Sequence, residues 1–317
     1  MKYNEKGEPI KAIDNDPPNS IRPRRQAFGY DVEYSLDSMP FLKDMIDILG
    51  ELGWDLHDVV AEGAYSQFEL DFHYTDLLQM ADRLVFLKIL LKEIAKKHEM
   101  FVTFMPKPTI GDWRSGGHIN FSLNNIKENA NIFKDGDKWS QDAMYAVGGL
   151  LANSEAITAI TCPTVNSYNG LVPTVGGFEG GVHTWAPVNI TYGHNNRSAQ
   201  FRLPQNRYCI ENRAADLTMN IYLALGMTIS AAVDGIKNKI EPGKPSDFDL
   251  YSLKEDDMKK LGIRRLPRNL LQAVELLQNN KLAEKVLGKV MLNSYVNYKY
   301  DEWERYHQAV TDWEVKE

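Results

Sequence analysis

Three short segments of this chain alternate polar and apolar residues with a period of two. In Gly117–Leu123, His118, Asn120 and Ser122 share one face, and Ile119, Phe121 and Leu123 share the other. In Gln67–Phe72 the polar set is Gln67, Glu69 and Asp71; in Cys209–Arg213, Glu211 and Arg213 point together. Successive side chains of a strand point to opposite faces, so each segment predicts a strand with one apolar and one polar side. An antiparallel sheet with a solvated face explains such alternation in general. A plain solvated face, however, tends to carry Lys, Thr and Glu. Here Glu, His, Asn, Ser and Arg stand beside glycines such as Gly116 and Gly117. Carboxylates with a neutral imidazole suit Mg²⁺ or Mn²⁺. The planar guanidinium suits phosphate and carboxylate groups. The combination points to a site for an anionic, metal-bound substrate.

The strand-like runs concentrate in the first two thirds of the chain and the remainder is helical, which predicts an α+β fold with a mainly antiparallel sheet flanked by helices. Residues 1–38 are rich in Pro, Asn, Asp and Lys and read as a polar, extended lead-in; residues 39–317 read as the folded domain. Helices are expected over Met39–Leu52, Thr75–His98 and Ser140–Ile160, the second with Lys96, Lys97 and His98 in its last turn, where cations favour the helix dipole. Strands are expected at 55–61, 67–74, 100–105, 117–123, 188–192, 199–203 and 208–213. The Gly170–Gly181 loop, with two glycine pairs, is either a plain connection or a mobile lid. Ile21-Arg22-Pro23-Arg24-Arg25 reads as a solvated loop, and the C-terminal aromatics as packing residues.

Composition narrows the partners. With a net charge of −7 over 317 residues, the chain lacks the excess positive charge of a general nucleic-acid binder. The N-terminal segment has no apolar core and does not read as a secretory signal. The uncharged run Leu217–Val233 reads as a buried helix rather than a membrane span. Two cysteines, Cys162 and Cys209, fit reduced thiols in a cytoplasmic protein.

Five ordered motifs then resemble the glutamine synthetase family. They are Thr103-Phe104-Met105-Pro106-Lys107-Pro108 with Gly111 and Ser115-Gly116-Gly117-His118; Asn166-Ser167-Tyr168 with Leu171-Val172-Pro173; Asn195-Asn196-Arg197-Ser198; Arg202-Leu203-Pro204; and Glu211-Asn212-Arg213 with Asn220-Ile221-Tyr222-Leu223-Ala224. The resemblance implies the glutamine synthetase/guanido kinase-like catalytic domain. It implies an ATP-dependent ligase that phosphorylates the γ-carboxylate of glutamate and joins it to ammonia or a small amine, with two Mg²⁺ or Mn²⁺ ions. Intact members form homo-oligomeric rings. By position, Glu62 and Glu69 match ligands of the first ion, and His118 and Glu211 ligands of the second. Arg197 and Arg202 match arginines on the ATP phosphates and the moving phosphoryl group. Arg213 and Gly116 match substrate contacts, and Ser122 a nucleotide contact.

The chain also departs from the pattern. Asn120 replaces a second histidine near the nucleotide, and Gly170 an arginine that grips the substrate α-carboxylate. Glu179 serves as the flap glutamate if the glycine-rich loop is longer here; otherwise it is an exposed carboxylate. Arg114 and His183 are candidate compensating groups, with structural or surface roles as the alternative. A metal-binding Glu-x-Glu-Phe strand and a smaller N-terminal β-domain precede this region in the family, and residues 1–38 contain no such pattern. The expectation is therefore a catalytic domain alone, with little turnover in isolation. A nucleotide-binding pseudo-ligase and a γ-glutamyl-alkylamide synthetase stay open. A guanidino-phosphotransferase of related fold is disfavoured by the Asn-Ser-Tyr and Asn-Arg-Ser motifs.

Overall fold

The computed structural model describes residues 1–4, 6–10, 29–30, 32–64, 66–109, 113–172 and 186–316. They fall into two compact units, Met1–Ser115 and Gly116–Glu317.

The first unit is built on α1 (Met39–Glu51), the ribbon β1 (Leu56–Ala61) and β2 (Phe68–Phe72), and α2 (Leu77–Lys97). Asp76 caps α2 by accepting from the Leu78 N–H, satisfying a donor that has no partner within the helix. Its Leu87, Leu91 and Ile94 meet Leu42, Met45 and Leu49 of α1, and Val59, Phe68, Leu70 and Phe72 of the ribbon close over this cluster. The apolar face of the ribbon is thereby consumed. The facing pairs Val60↔Glu69 and Asp58↔Asp71 are left on the opposite face.

Met100–Met105 was expected as a strand and is not one. Val102 and Phe104 do pack against the core, but the segment joins no ladder among the described residues. Phe101 instead exchanges backbone bonds with Met1.

The second unit holds a five-stranded sheet. In chain order its elements are β3 (Ile119–Phe121), α3 (Gln141–Ala152), α4 (Ser154–Thr161), β4 (Asn189–His194), β5 (Ala199–Leu203), β6 (Ile210–Asn212), α5 (Ile221–Asn238), β7 (Arg264–Arg265), α6 (Leu270–Gln278) and α7 (Lys281–His307). The strand order is β7-β4-β5-β6-β3. All neighbours are antiparallel except β4 and β5, which are parallel and are joined only by residues 195–198. Parallel neighbours ordinarily need a far longer crossover, so the alternation pattern did not disclose this pair.

The helix expected over Ser140–Ile160 is two helices. Asn153 interrupts it with φ −111°; its carboxamide donates to the Gly149 carbonyl and accepts from Asn280, an alternative to continuing the ladder. Helices α3 and α5 cross at glycines. A Cβ on Gly149 would lie 2.1 Å from the Ala231 carbonyl oxygen, and one on Gly235 would lie 2.1 Å from that of Tyr145. Helix α5 covers most of the uncharged run read as a buried helix, and Ala224, Met227, Ala231 and Ala232 are buried. No helix among the described residues is long and apolar enough to cross a membrane. Neither cysteine is in a disulfide; Cys162 is buried and Cys209 half-buried.

Candidate functional site

The first unit contributes a carboxylate face. The backbone N–H of Glu62 donates to Gln67 O at 2.9 Å, extending the β1–β2 ladder by one rung. Gln67 and Glu69 are two residues apart, and Glu69 faces Val60. Glu62 and Glu69 are therefore diagonal neighbours on the face that does not pack into the core. The hairpin tip is braced from 114–115: the Gln67 side-chain amide donates to Arg114 O and Ser115 Oγ, both at 3.2 Å. Beside Glu62, a Cβ on Gly63 would lie 2.1 Å from the Trp113 ring. Gly63→Ala is expected to displace Trp113 and the Glu62 backbone with it, at a cost of about 1–3 kcal/mol. Denaturant unfolding of the variant, together with its Mn²⁺ affinity, checks this; an unchanged midpoint and affinity would contradict it.

The second unit contributes a charged cluster around one carboxylate. In the register, Asn120 faces Glu211 and Glu211 faces Arg202, so three strands put these side chains in one row. His118 and Arg213 extend the row by alternation. Burial follows the expected faces: Ile119 and Phe121 are buried, while Asn120 between them is exposed. Glu211 is only 4% exposed. Its Oε1 accepts from Arg213 Nη1 at 2.7 Å and lies 3.5 Å from His118 Nδ1. Its Oε2 accepts from Arg202 Nη1 at 2.7 Å. Burial pushes the Glu211 carboxyl up, but Arg213, His118 and the hydrogen bond from Arg202 reverse this and hold it at about 2, below its ordinary 4.5. It is an anion at any physiological pH.

Glycine shapes the approach to this cluster. The His118 ring folds back over Gly116, where a Cβ would lie 2.7 Å from Nε2. Gly117 lies against the Asp216–Leu217 backbone, with a Cβ 2.9 Å from the Asp216 carbonyl carbon, and its N–H donates to Ala215 O. The Gly-Gly-His sequence is therefore a steric requirement of the ring's position.

The structure thus brings His118, Asn120, Arg202, Glu211 and Arg213 together. Arg197 joins through its backbone, its carbonyl accepting from Arg213 Nε at 3.0 Å, while its side chain is exposed. Ser122 is exposed just beyond the end of β3, and Gly170 is buried. Arg114 is buried too. Glu179 and His183 lie outside the described residues, as do the 22–25 arginine cluster, Gly111 and most of the glycine-rich loop.

Three members of the cluster carry no role assigned from the sequence. Arg207 Nη2 donates to Asn120 Oδ1 at 3.2 Å, and the Cys209 thiol lies 3.8 Å from the same oxygen. Asn195 Oδ1 accepts from two nitrogens of Arg202. The phase of the β6 alternation places Cys209 with Glu211, and Asn195 opens the Asn-Asn-Arg-Ser motif; nothing comparable marks Arg207. Burial pushes the Cys209 thiol pKa up, although Arg207 beside it pulls the other way.

Chemically, the ribbon of the first unit presents two carboxylates, and the cluster of the second unit a carboxylate, an imidazole and arginines. A buried carboxylate kept ionised next to a nitrogen donor suits a divalent cation. Arg202, Arg207 and Arg213 concentrate positive charge in an acidic chain, which suits a polyphosphate.

Comparison with known proteins gives the family. The family described as "Glutamine synthetase, catalytic domain" matches residues 2–317. Glutamine synthetase of Methanosarcina mazei is 38% identical over 298 residues, covering 92% of this chain and 61% of that protein. The enzyme of Methanocaldococcus jannaschii is 36% identical over 310 residues, covering 96% and 66%. The chain thus spans under two thirds of the length of these relatives. A solved GmaS/ADP complex superposes with a TM-score of 0.84 at 30% identity, covering 95% of this chain and 67% of that one. GmaS without ligand gives 0.80.

Proposed function

The chain belongs to the glutamine synthetase family, and we infer from this that it is the catalytic part of a cytoplasmic ATP-dependent carbon–nitrogen ligase that forms a γ-glutamyl amide through a γ-glutamyl phosphate. The observation that carries the reading is Glu211, buried, ionised and bonded to two arginines beside His118.

In this reading Glu62 and Glu69 hold one divalent ion, and His118 and Glu211 another. When bound, Mg²⁺ or Mn²⁺ neutralises the phosphate oxygens as the γ-phosphoryl group moves. Arg202 and Arg197 orient the ATP phosphates, and Asn120 and Ser122 sit at the nucleoside. Arg213 and Gly116 border the glutamate. One γ-carboxylate oxygen takes the γ-phosphoryl group and ADP departs. The amine nitrogen then bonds to the acyl carbon, the carbon–oxygen bond to phosphate breaks, and the amine gives up a proton. Glu179 is the carboxylate assigned to receive it. The acid-side contact differs from the family pattern at Gly170, which offers no side chain to the α-carboxylate.

Ammonia is the simplest amine for this chemistry, and the γ-glutamyl-alkylamide alternative left open by the sequence makes methylamine the second candidate. Ring-shaped self-association belongs to the same reading. Calorimetry with ADP tests the core of it. Saturable binding that tightens with Mn²⁺, and loses that tightening in Glu211→Ala, is expected. Nucleotide binding indifferent to both would overturn the assignment. Hydroxamate formation from glutamate, ATP and hydroxylamine reports turnover, and competition by ammonia against methylamine reports the amine.

A further inference from the structure

We propose that Asn195 is a positioning residue for Arg202, holding its guanidinium in one orientation on the face that carries Glu211, His118 and Asn120. The ligand side of this proposal rests on the reading of Arg202 as a phosphate contact. Asn195 follows β4 directly and has φ +53°, a left-handed conformation that Asn accepts more readily than most residues. Its N–H donates to Leu203 O at 2.8 Å, tying its backbone to the end of β5. From that point its Oδ1 accepts from Arg202 Nε at 3.2 Å and from Nη2 at 2.5 Å. Glu211 Oε2 holds Nη1 at 2.7 Å.

A guanidinium is a rigid plane with five N–H donors. Asn195 grips its Nε–Nη2 edge and Glu211 its Nη1 nitrogen. The plane is fixed at two places, and two donors are left for an anion. Ordering a long side chain costs entropy on binding, and a side chain ordered beforehand avoids that cost. The chemistry of the clamp matters as well. A carboxamide is neutral, so it orients the cation without cancelling the charge that a phosphate would meet; a carboxylate would do both. If Glu211 were shared with a divalent ion, the carboxamide would be the tether that still holds Arg202.

Asn195→Gly separates the clamp from the fold, because glycine keeps the positive φ at no steric cost and deletes the carboxamide. The readout is the ¹⁵N-resolved Nε–H signal of Arg202, assigned by its loss in Arg202→Lys. In Asn195→Gly this proton is expected to exchange with solvent about tenfold faster, and ADP to bind about tenfold more weakly. The thermal midpoint is expected to hold. Asn195→Asp keeps the acceptor, so it is expected to restore the slow-exchanging signal while leaving nucleotide binding weak. An Arg202 signal unmoved in Asn195→Gly would overturn the proposal, even if nucleotide binding fell. A signal that moves with no change in ADP affinity would overturn its ligand side. If the parent chain bound no nucleotide, the ligase reading would fall, while the Arg202 signal would still decide whether Asn195 orients it.

Discussion

Glu211→Ala is expected to destabilise the fold by about 3–5 kcal/mol, because it breaks a buried ion pair by removing one partner. Arg213, whose side chain is 8% exposed, loses the acceptor of Nη1. Arg202, at 14%, keeps only Asn195. The same change removes a predicted ligand of one metal ion, so cation-dependent nucleotide binding should vanish with it. Glu211→Gln keeps the shape and one acceptor but not the charge, and should fall between the two. The pH dependence has a definite sign. The folded-state pKa of Glu211 is about 2 and its ordinary value 4.5. Its stabilisation is therefore complete above 4.5 and is lost as the pH falls towards 2. The stability gap between the parent chain and Glu211→Gln should narrow over that window and stay constant above it. Urea unfolding across the window measures it; a gap that does not change with pH would remove the electrostatic explanation.

Gly149→Val is the second large effect, with a loss of about 3 kcal/mol or more and a chain that accumulates poorly in soluble form. The new Cβ would sit 2.1 Å from the Ala231 carbonyl oxygen and 2.6 Å from the Gly235 backbone. A backbone cannot swing away as a lysine tip can, so α3 and α5 would have to separate along a contact that buries Ala146, Leu150, Ala231 and Ala232. The control lies in the partner helix α5: Gly226 has nothing within 4 Å of its Cβ position. Gly226→Ala should therefore stabilise by about 0.5–1 kcal/mol through helix propensity alone. Opposite signs for the two substitutions are expected; equal losses would mean that glycine content, not the helix crossing, sets stability.

What the sequence disclosed and what it hid divide along physical lines. Period-two alternation placed Glu211 with Arg213 and His118 with Asn120, because side-chain parity is a local property of a strand. It also put the polar residues of β2 on the face away from Leu70 and Phe72. The helix around Leu87, Leu91 and Ile94 was legible for the same reason: its apolar stripe repeats every turn. The interruption at Asn153 was not, since it depends on a bond from Asn280, far away in the chain. Met100–Met105 has the composition of a strand, yet whether a strand finds a partner is decided by distant segments. The parallel pairing of β4 and β5 and the crossing of α3 over α5 are likewise relations between elements. Within the cluster, the contacts of Asn195 and Arg207 could not be read from the sequence, because their partners stand 7 and 87 positions away.

The two thiols are unequal. Cys162 is fully buried and donates to Ala214 O, whereas Cys209 is only partly enclosed and sits beside Asn120. Of these two thiols Cys209 is therefore the addressable one, at the edge of the charged cluster. In the ligase reading, a fluorophore or nitroxide attached there would report on nucleotide and cation arrival. Because burial raises the Cys209 thiol pKa, alkaline labelling would favour its reaction.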